Sequence, residues 1–127
     1  MNEELKLKLL IAAFEARENA YAPYSKFKVG AAVLTDSGKI YAGANFENAS
    51  FGAGTCAERV ALGSALAAGD RNFTAIACVG EGKITPCGIC RQALSEFGDM
   101  TVICASPDGE YMREYKLSEL LPCQFEM

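Results

Sequence analysis

Three cysteines and one glutamate have the types and spacing to do chemistry. Thr55-Cys56-Ala57-Glu58-Arg59 and Pro86-Cys87-Gly88-Ile89-Cys90-Arg91 each follow turn-favouring residues, and each opens a predicted helix. A thiolate at a helix start faces unpaired backbone N–H groups and the positive end of the helix dipole. The thiolate is also the form that binds metal. Cys87 and Cys90 stand three residues apart, so one helical turn aims both sulfurs at one ion. Cys56 supplies a third ligand from the neighbouring helix. The count decides the kind of site. Four protein ligands close a structural zinc site, whereas three leave a position for water or substrate. Zinc brings the pKa of bound water to about 7, and Glu58 is then the natural general base.

This arrangement constrains the local backbone. In a regular helix, residues two apart point about 200° away from each other. Cys56 and Glu58 therefore converge on one centre only where the helix starts and the incoming loop bends, and Gly52 and Gly54 supply such a bend. Three thiolates and Zn²⁺ sum to a negative centre, which makes bound water less acidic. A cation donating to the sulfurs offsets this; Arg59 is well placed to do so, with Arg91 a second candidate. Two plainer readings stand beside this one. Cys87-Gly88-Ile89-Cys90 alone is also the pattern of a redox pair, and a closed site of four cysteines would recruit Cys78, Cys104 or Cys123. Cys78 and Cys104, however, lie inside apolar strands, where cysteine serves as a small hydrophobe.

The elements that must position these residues follow from periodicity. Leu5, Leu9, Ala12 and Ala16 recur at helical spacing, which predicts an amphipathic helix over 3–19. Ala22-Pro23-Tyr24-Ser25 breaks it. Val29 to Leu34 and Ile40 to Phe46 flank Asp36-Ser37-Gly38, a hairpin signal. A helix follows from Cys56 to near Gly69, then a buried strand over Thr74 to Val79. A second helix spans Cys87 to Phe97 and stops at Gly98. Thr101 to Ala105 and Tyr111 to Tyr115 flank Pro107-Asp108-Gly109, and a short helix over Leu117 to Leu121 follows. The order α-β-β-α-β-α-β-β-α predicts a mixed sheet with helices on both faces. The strand–helix–strand passages favour parallel pairing in the middle, and the hairpins favour antiparallel edges.

Composition narrows the function further. A chain of 127 residues, half of them hydrophobic, fits one compact domain over 1–127 with a proper core. The net charge of −4 and the scattered lysines and arginines argue against a nucleic-acid partner. No signal peptide or membrane span is legible, which points to the cytoplasm, where thiols are buried, metal-bound or catalytic.

Taken together, Cys-Ala-Glu-Arg followed by Pro-Cys-Gly-Ile-Cys-Arg-Gln resembles the zinc-dependent cytidine deaminases, in particular their small, all-cysteine, homotetrameric type. The resemblance runs from Tyr21-Ala22-Pro23-Tyr24-Ser25-Lys26-Phe27 through Asn45-Phe46-Glu47-Asn48 to Leu120-Leu121-Pro122. It implies a three-layer α/β/α fold with a mixed five-stranded sheet. It also implies one zinc per chain and hydrolytic deamination of cytidine and 2′-deoxycytidine, with Glu58 as the proton carrier. By the same resemblance, Asn45 and Glu47 hold the ribose hydroxyls and Phe27 lines the pocket. The amide of Ala57 meets the pyrimidine carbonyl, and the carbonyl of Thr85 meets the amine. Phe51 and Phe125 reach a neighbouring subunit's site in the homotetramer. Spacing supports one of these assignments independently, since positions two apart on a strand share a face. Deaminases of cytosine-containing nucleoside antibiotics share the zinc motifs and are the nearest alternative, but they predict a different sugar contact from the Asn45 and Glu47 pair.

Overall fold

Seven small or branched residues, Val29 to Thr35, form the strand around which everything else is laid. All seven are buried, and their alternating side chains feed two separate cores. The computed structural model describes residues Met1–Met127. Its elements in chain order are α1 (Glu3–Arg17), β1 (Val29–Thr35), β2 (Ile40–Ala44), a 3-10 turn (Phe51–Ala53), α2 (Ala57–Ala67), β3 (Phe73–Gly80), α3 (Gly88–Ser95), β4 (Thr101–Ala105), β5 (Met112–Lys116) and α4 (Leu117–Leu120). The predicted elements are all present, with no bound shifted by more than two residues.

The five strands form one sheet in the order β2-β1-β3-β4-β5. Both hairpins are antiparallel, as predicted. Parallel pairing is narrower than expected: it joins only β3 to β4. The passage from β2 through α2 to β3 steps over β1 instead, because β2 already occupies one side of β1 in the hairpin. β3 takes the free side and runs antiparallel to β1.

Helices cover both faces. On one face Leu9 and Ala13 of α1 pack on Ala32, Leu34, Ala75, Ala77 and Ile103. On the other, Ala57, Ala61, Leu62 and Ala65 of α2, with Leu94 of α3 and Leu117 of α4, close over Ala31, Val33, Ile76 and Val102. The small residues let the helices sit close. A β-carbon at Gly30 would meet the Ala13 carbonyl oxygen at 1.9 Å, and one at Gly43 would meet the Ala61 nitrogen at 2.5 Å. The sheet therefore seats α2 directly, and the start of α2 is fixed by that seat. No helix is long and apolar enough to cross a membrane.

Candidate active site

Two helix starts meet at one cluster of thiols. Cys56 is the N-cap of α2 and Cys87 the N-cap of α3, both with extended backbone and neither making a side-chain cap. Cys90 lies in the first turn of α3 and is fully buried. The Cys56 and Cys87 sulfurs are 3.7 Å apart, and all three sulfurs lie within 4.8 Å of one another. Sulfurs bound to one tetrahedral zinc at ~2.3 Å stand about 3.8 Å apart, so the donor set fits that ion. The extended backbone of Cys56 also resolves the spacing problem. It is not yet helical, so Cys56 and Glu58 escape the opposed directions of a regular helix. Gly54 contributes by close approach: a β-carbon there would press on the Phe46 carbonyl oxygen at 2.9 Å.

The other cysteines stand apart from this cluster. Cys78 and Cys104 face each other across β3 and β4 with sulfurs 3.5 Å apart, fully buried in the core, and Cys123 is exposed. No fourth thiol joins the three, which leaves the site open in the sense that catalysis needs.

Arg59 closes the electrostatic arrangement from the α2 side. Its Nε donates to Cys90 Sγ and its guanidinium NH2 group to Cys56 Sγ, each at 3.4 Å. Without metal, the hydrogen bond from the Cys90 thiol and those from Arg59 hold the Cys56 thiol well below its ordinary value. Cys90 moves the opposite way, because it keeps the proton it shares with Cys56 and is desolvated. Arg91 does not repeat the role of Arg59. Its guanidinium donates to the carbonyls of Pro86 and Leu120, both at 2.7 Å, and to the Thr85 hydroxyl at 3.0 Å. It ties the loop before α3 to the end of α4 instead of touching sulfur. The physical reason is its place on α3, where it points back along the loop rather than across to α2.

Glu58 is 4% exposed. Burial pushes its carboxyl up to about 7, and the neighbouring Cys56 charge adds to the shift. A carboxyl that exchanges its proton near neutrality suits general acid–base work. It lines a cavity of about 160 Å³ together with Phe27, Asn45, Ala57, Thr85 and two of the cysteines. A second cavity of about 610 Å³ shares Asn45 and Cys56 with the first and extends past Glu47, Phe51 and Arg59.

The predicted substrate contacts divide between these spaces. Phe27, Ala57 and Thr85 face the smaller cavity, Glu47 and Phe51 the larger, and Asn45 both. Asn45 is already partly engaged: its Oδ1 accepts from the Val29 amide and its Nδ2 donates to the Phe27 carbonyl, both at 2.8 Å. That use explains why β2 ends at Ala44, short of the expected Phe46, whose own backbone pairs with Thr55. Phe125 lines neither cavity of its own chain and is 69% exposed. Gln92 grips its backbone, donating to the Phe125 carbonyl at 2.9 Å and accepting from its amide at 3.3 Å. Reasoning from sequence singled out neither Gln92 nor Ser25, which bonds Glu47. Both lie inside the quoted motifs, but neither has a periodic spacing that marks its role.

Comparison with known proteins settles the family. Residues 3–106 match the family described as cytidine and deoxycytidylate deaminase zinc-binding region. The chain belongs to this family. A cytidine deaminase of Halalkalibacterium halodurans is 46% identical over 92% of this chain and 91% of its own. A probable cytidine deaminase of Dictyostelium discoideum is 43% identical over 98% of this chain and 86% of its own. The crystal structure of cytidine deaminase from Burkholderia pseudomallei superposes with a TM-score of 0.89 at 50% identity, covering 98% of this chain and all of that one. The family's zinc-binding region contains Cys56, Cys87 and Cys90, and these thiols are positioned for a metal ion.

Proposed function

We propose that this chain hydrolyses the exocyclic amine of cytidine and 2′-deoxycytidine, giving uridine or 2′-deoxyuridine and ammonia, as a pyrimidine-salvage enzyme of the cytoplasm. One observation carries the reading: a buried glutamate with a raised pKa lines the same cavity as Cys56 and Cys87 of the three-thiol cluster. The names of its relatives supply the substrate class.

Cys56, Cys87 and Cys90 would hold the zinc, and Arg59 would offset the charge of their thiolates. When bound, zinc supplies Lewis-acid activation of water. Glu58 takes a proton from the attacking water and passes it to ring N3 as oxygen bonds to C4. It then carries the second proton to the amine, and ammonia leaves as the C4–N bond breaks. The water thus provides the oxygen of the product carbonyl and both transferred protons. Phe27 packs against the nucleoside, while the Ala57 amide and the Thr85 carbonyl orient the base. Asn45 retains one N–H and one lone pair after bonding β1, enough to meet a ribose hydroxyl beside Glu47. The described residues act as a single domain, since one sheet carries both cores. The working assembly is a homotetramer in which exposed Phe51 and Phe125 complete neighbouring sites.

An absorbance assay on cytidine, run on wild type and Glu58→Ala with zinc measured on both, tests the reading. About one zinc per chain is expected in each protein, given one open three-ligand site. Activity should fall by about 10²-fold or more in the mutant, the general acid–base contribution. Full activity in Glu58→Ala, or turnover confined to single-stranded nucleic acid, overturns it.

A further inference from the structure

The segment from Ala22 to Phe27 belongs to no helix or strand, yet three of its donors converge on one carboxylate, that of Glu47. The amides of Tyr24 and Ser25 donate to Glu47 Oε1 at 2.9 and 3.1 Å. The Ser25 hydroxyl donates to the other carboxylate oxygen. The same hydroxyl accepts from the Phe27 amide at 3.0 Å. Its single proton is thus directed at Glu47, because the neighbouring N–H occupies its acceptor side. These bonds hold the Glu47 carboxyl below the usual range, with the Ser25 hydroxyl as the leading cause.

The turn that achieves this is conformationally costly. Lys26 sits between Ser25 and Phe27 with φ +64°, a left-handed conformation unusual for a side chain of its length. Its amide bonds the Ala22 carbonyl at 3.0 Å and its Nζ the Pro23 carbonyl at 2.7 Å, which hold the twist in place. Strain of this kind persists where the surroundings over-determine it, and such places cluster at functional sites. Here its effect is to bring the Ser25 hydroxyl and two successive amides onto one carboxylate.

We propose that Ser25 is a positioning residue for the sugar: it fixes the Glu47 carboxylate so that the remaining lone pairs point at the ribose hydroxyls. The role rests on the reading of Glu47 given above as a ribose contact. Three donors leave the carboxylate charged and unable to rotate, which makes it a rigid acceptor for a hydroxyl. Phe27 depends less on Ser25, because Asn45 separately holds the Phe27 carbonyl. Loss of the hydroxyl therefore falls on the sugar more than on the base.

The test compares cytidine with 2′,3′-dideoxycytidine, which keeps only the 5′ hydroxyl and lacks the 2′ and 3′ hydroxyls assigned to Glu47, using the zinc-loaded enzyme. Ser25→Ala is expected to lower kcat/KM for cytidine about tenfold, mostly through KM, as for a lost bond to a charged group. The dideoxy substrate should lose about twofold or less, since the missing contact has no partner there. Ser25→Gly removes the same hydroxyl and should shrink the preference equally, whereas Ser25→Thr restores it. An equal loss on both substrates, or no loss on either, overturns the proposal and leaves Ser25 a structural residue. Glu47→Gln separates the two readings. If it abolishes the preference and Ser25→Ala does not, only the role of Ser25 falls. If neither changes it, Glu47 does not hold the ribose, and both readings fall. If only Ser25→Ala changes it, Ser25 acts other than through Glu47, and the proposal fails.

Discussion

Glu58 is a carboxyl held almost entirely out of water, 4% exposed. Its folded pKa of about 7 stands above the ordinary 4.5. The folded state therefore binds the proton more tightly than the unfolded state, and the associated stability is present below pH 4.5. It is lost as pH rises through 7, by about 3 kcal/mol in metal-free protein. Glu58→Gln removes that dependence. In chelator-treated protein, the mutant should match wild type in urea unfolding near pH 4.5 and exceed it near pH 8. Arg59 gives a second prediction at this scale. Arg59→Gln removes both donors to the sulfurs and should weaken zinc retention about 10-fold to 100-fold, read by competition with a chelator. At this scale the sequence was informative wherever chemistry needed a motif. Cys56, Glu58, Arg59, Cys87 and Cys90 could be read from residue type and spacing alone. Arg91 could not, because spacing says which residues are near a helix start and not which way a long side chain turns. Ser25 was equally hidden, since its role depends on a left-handed Lys26 that leaves no mark in composition.

The elements matter chiefly through α2, which carries Glu58 and Arg59 and is capped by Cys56 of the three-thiol cluster. Its position is set by contact with β2 at Gly43, where a β-carbon would also come within 2.9 Å of Val60. Gly43→Ala must push α2 outward, with a cost of about 1–3 kcal/mol from overpacking. Its melting temperature and its zinc affinity should fall together. Gly63 offers the control: it lies in the same helix facing open space, and Gly63→Ala should stabilise by about 0.5–1 kcal/mol with activity unchanged. Periodicity located every helix and strand to within two residues, though not the 3-10 turn Phe51–Ala53, because hydrophobic spacing reports burial directly. It did not report strand order. A strand–helix–strand passage has the same pattern whether its strands are neighbours or, as with β2 and β3, separated by a third strand. The end of β2 was misplaced for a related reason. Asn45 spends its side chain on the start of β1, and an apolar run cannot reveal that its last polar residue is a clasp.

For the whole molecule, the aromatic residues outside the cores are the informative ones. Phe51 and Phe125 are 88% and 69% exposed, and Phe51 lines the larger cavity. If neighbouring chains complete each other's sites, two inactive proteins should rescue one another. Mixing Glu58→Ala with Phe125→Ala under subunit exchange is expected to return activity that neither shows alone. Sedimentation of wild type should then give a species four times the chain mass. The division between metal and sugar has a further consequence, for adaptation. The three thiols and Glu58 are mounted at the starts of α2 and α3, which pack on one core of the sheet. The sugar contacts proposed above rest on residues 22–27 and 45–50, which reach each other through the bonds from Tyr24 and Ser25 to Glu47. On the proposed reading, a change in the accepted nucleoside needs exchanges only in these segments, while the three thiols and Glu58 keep their places at the starts of α2 and α3.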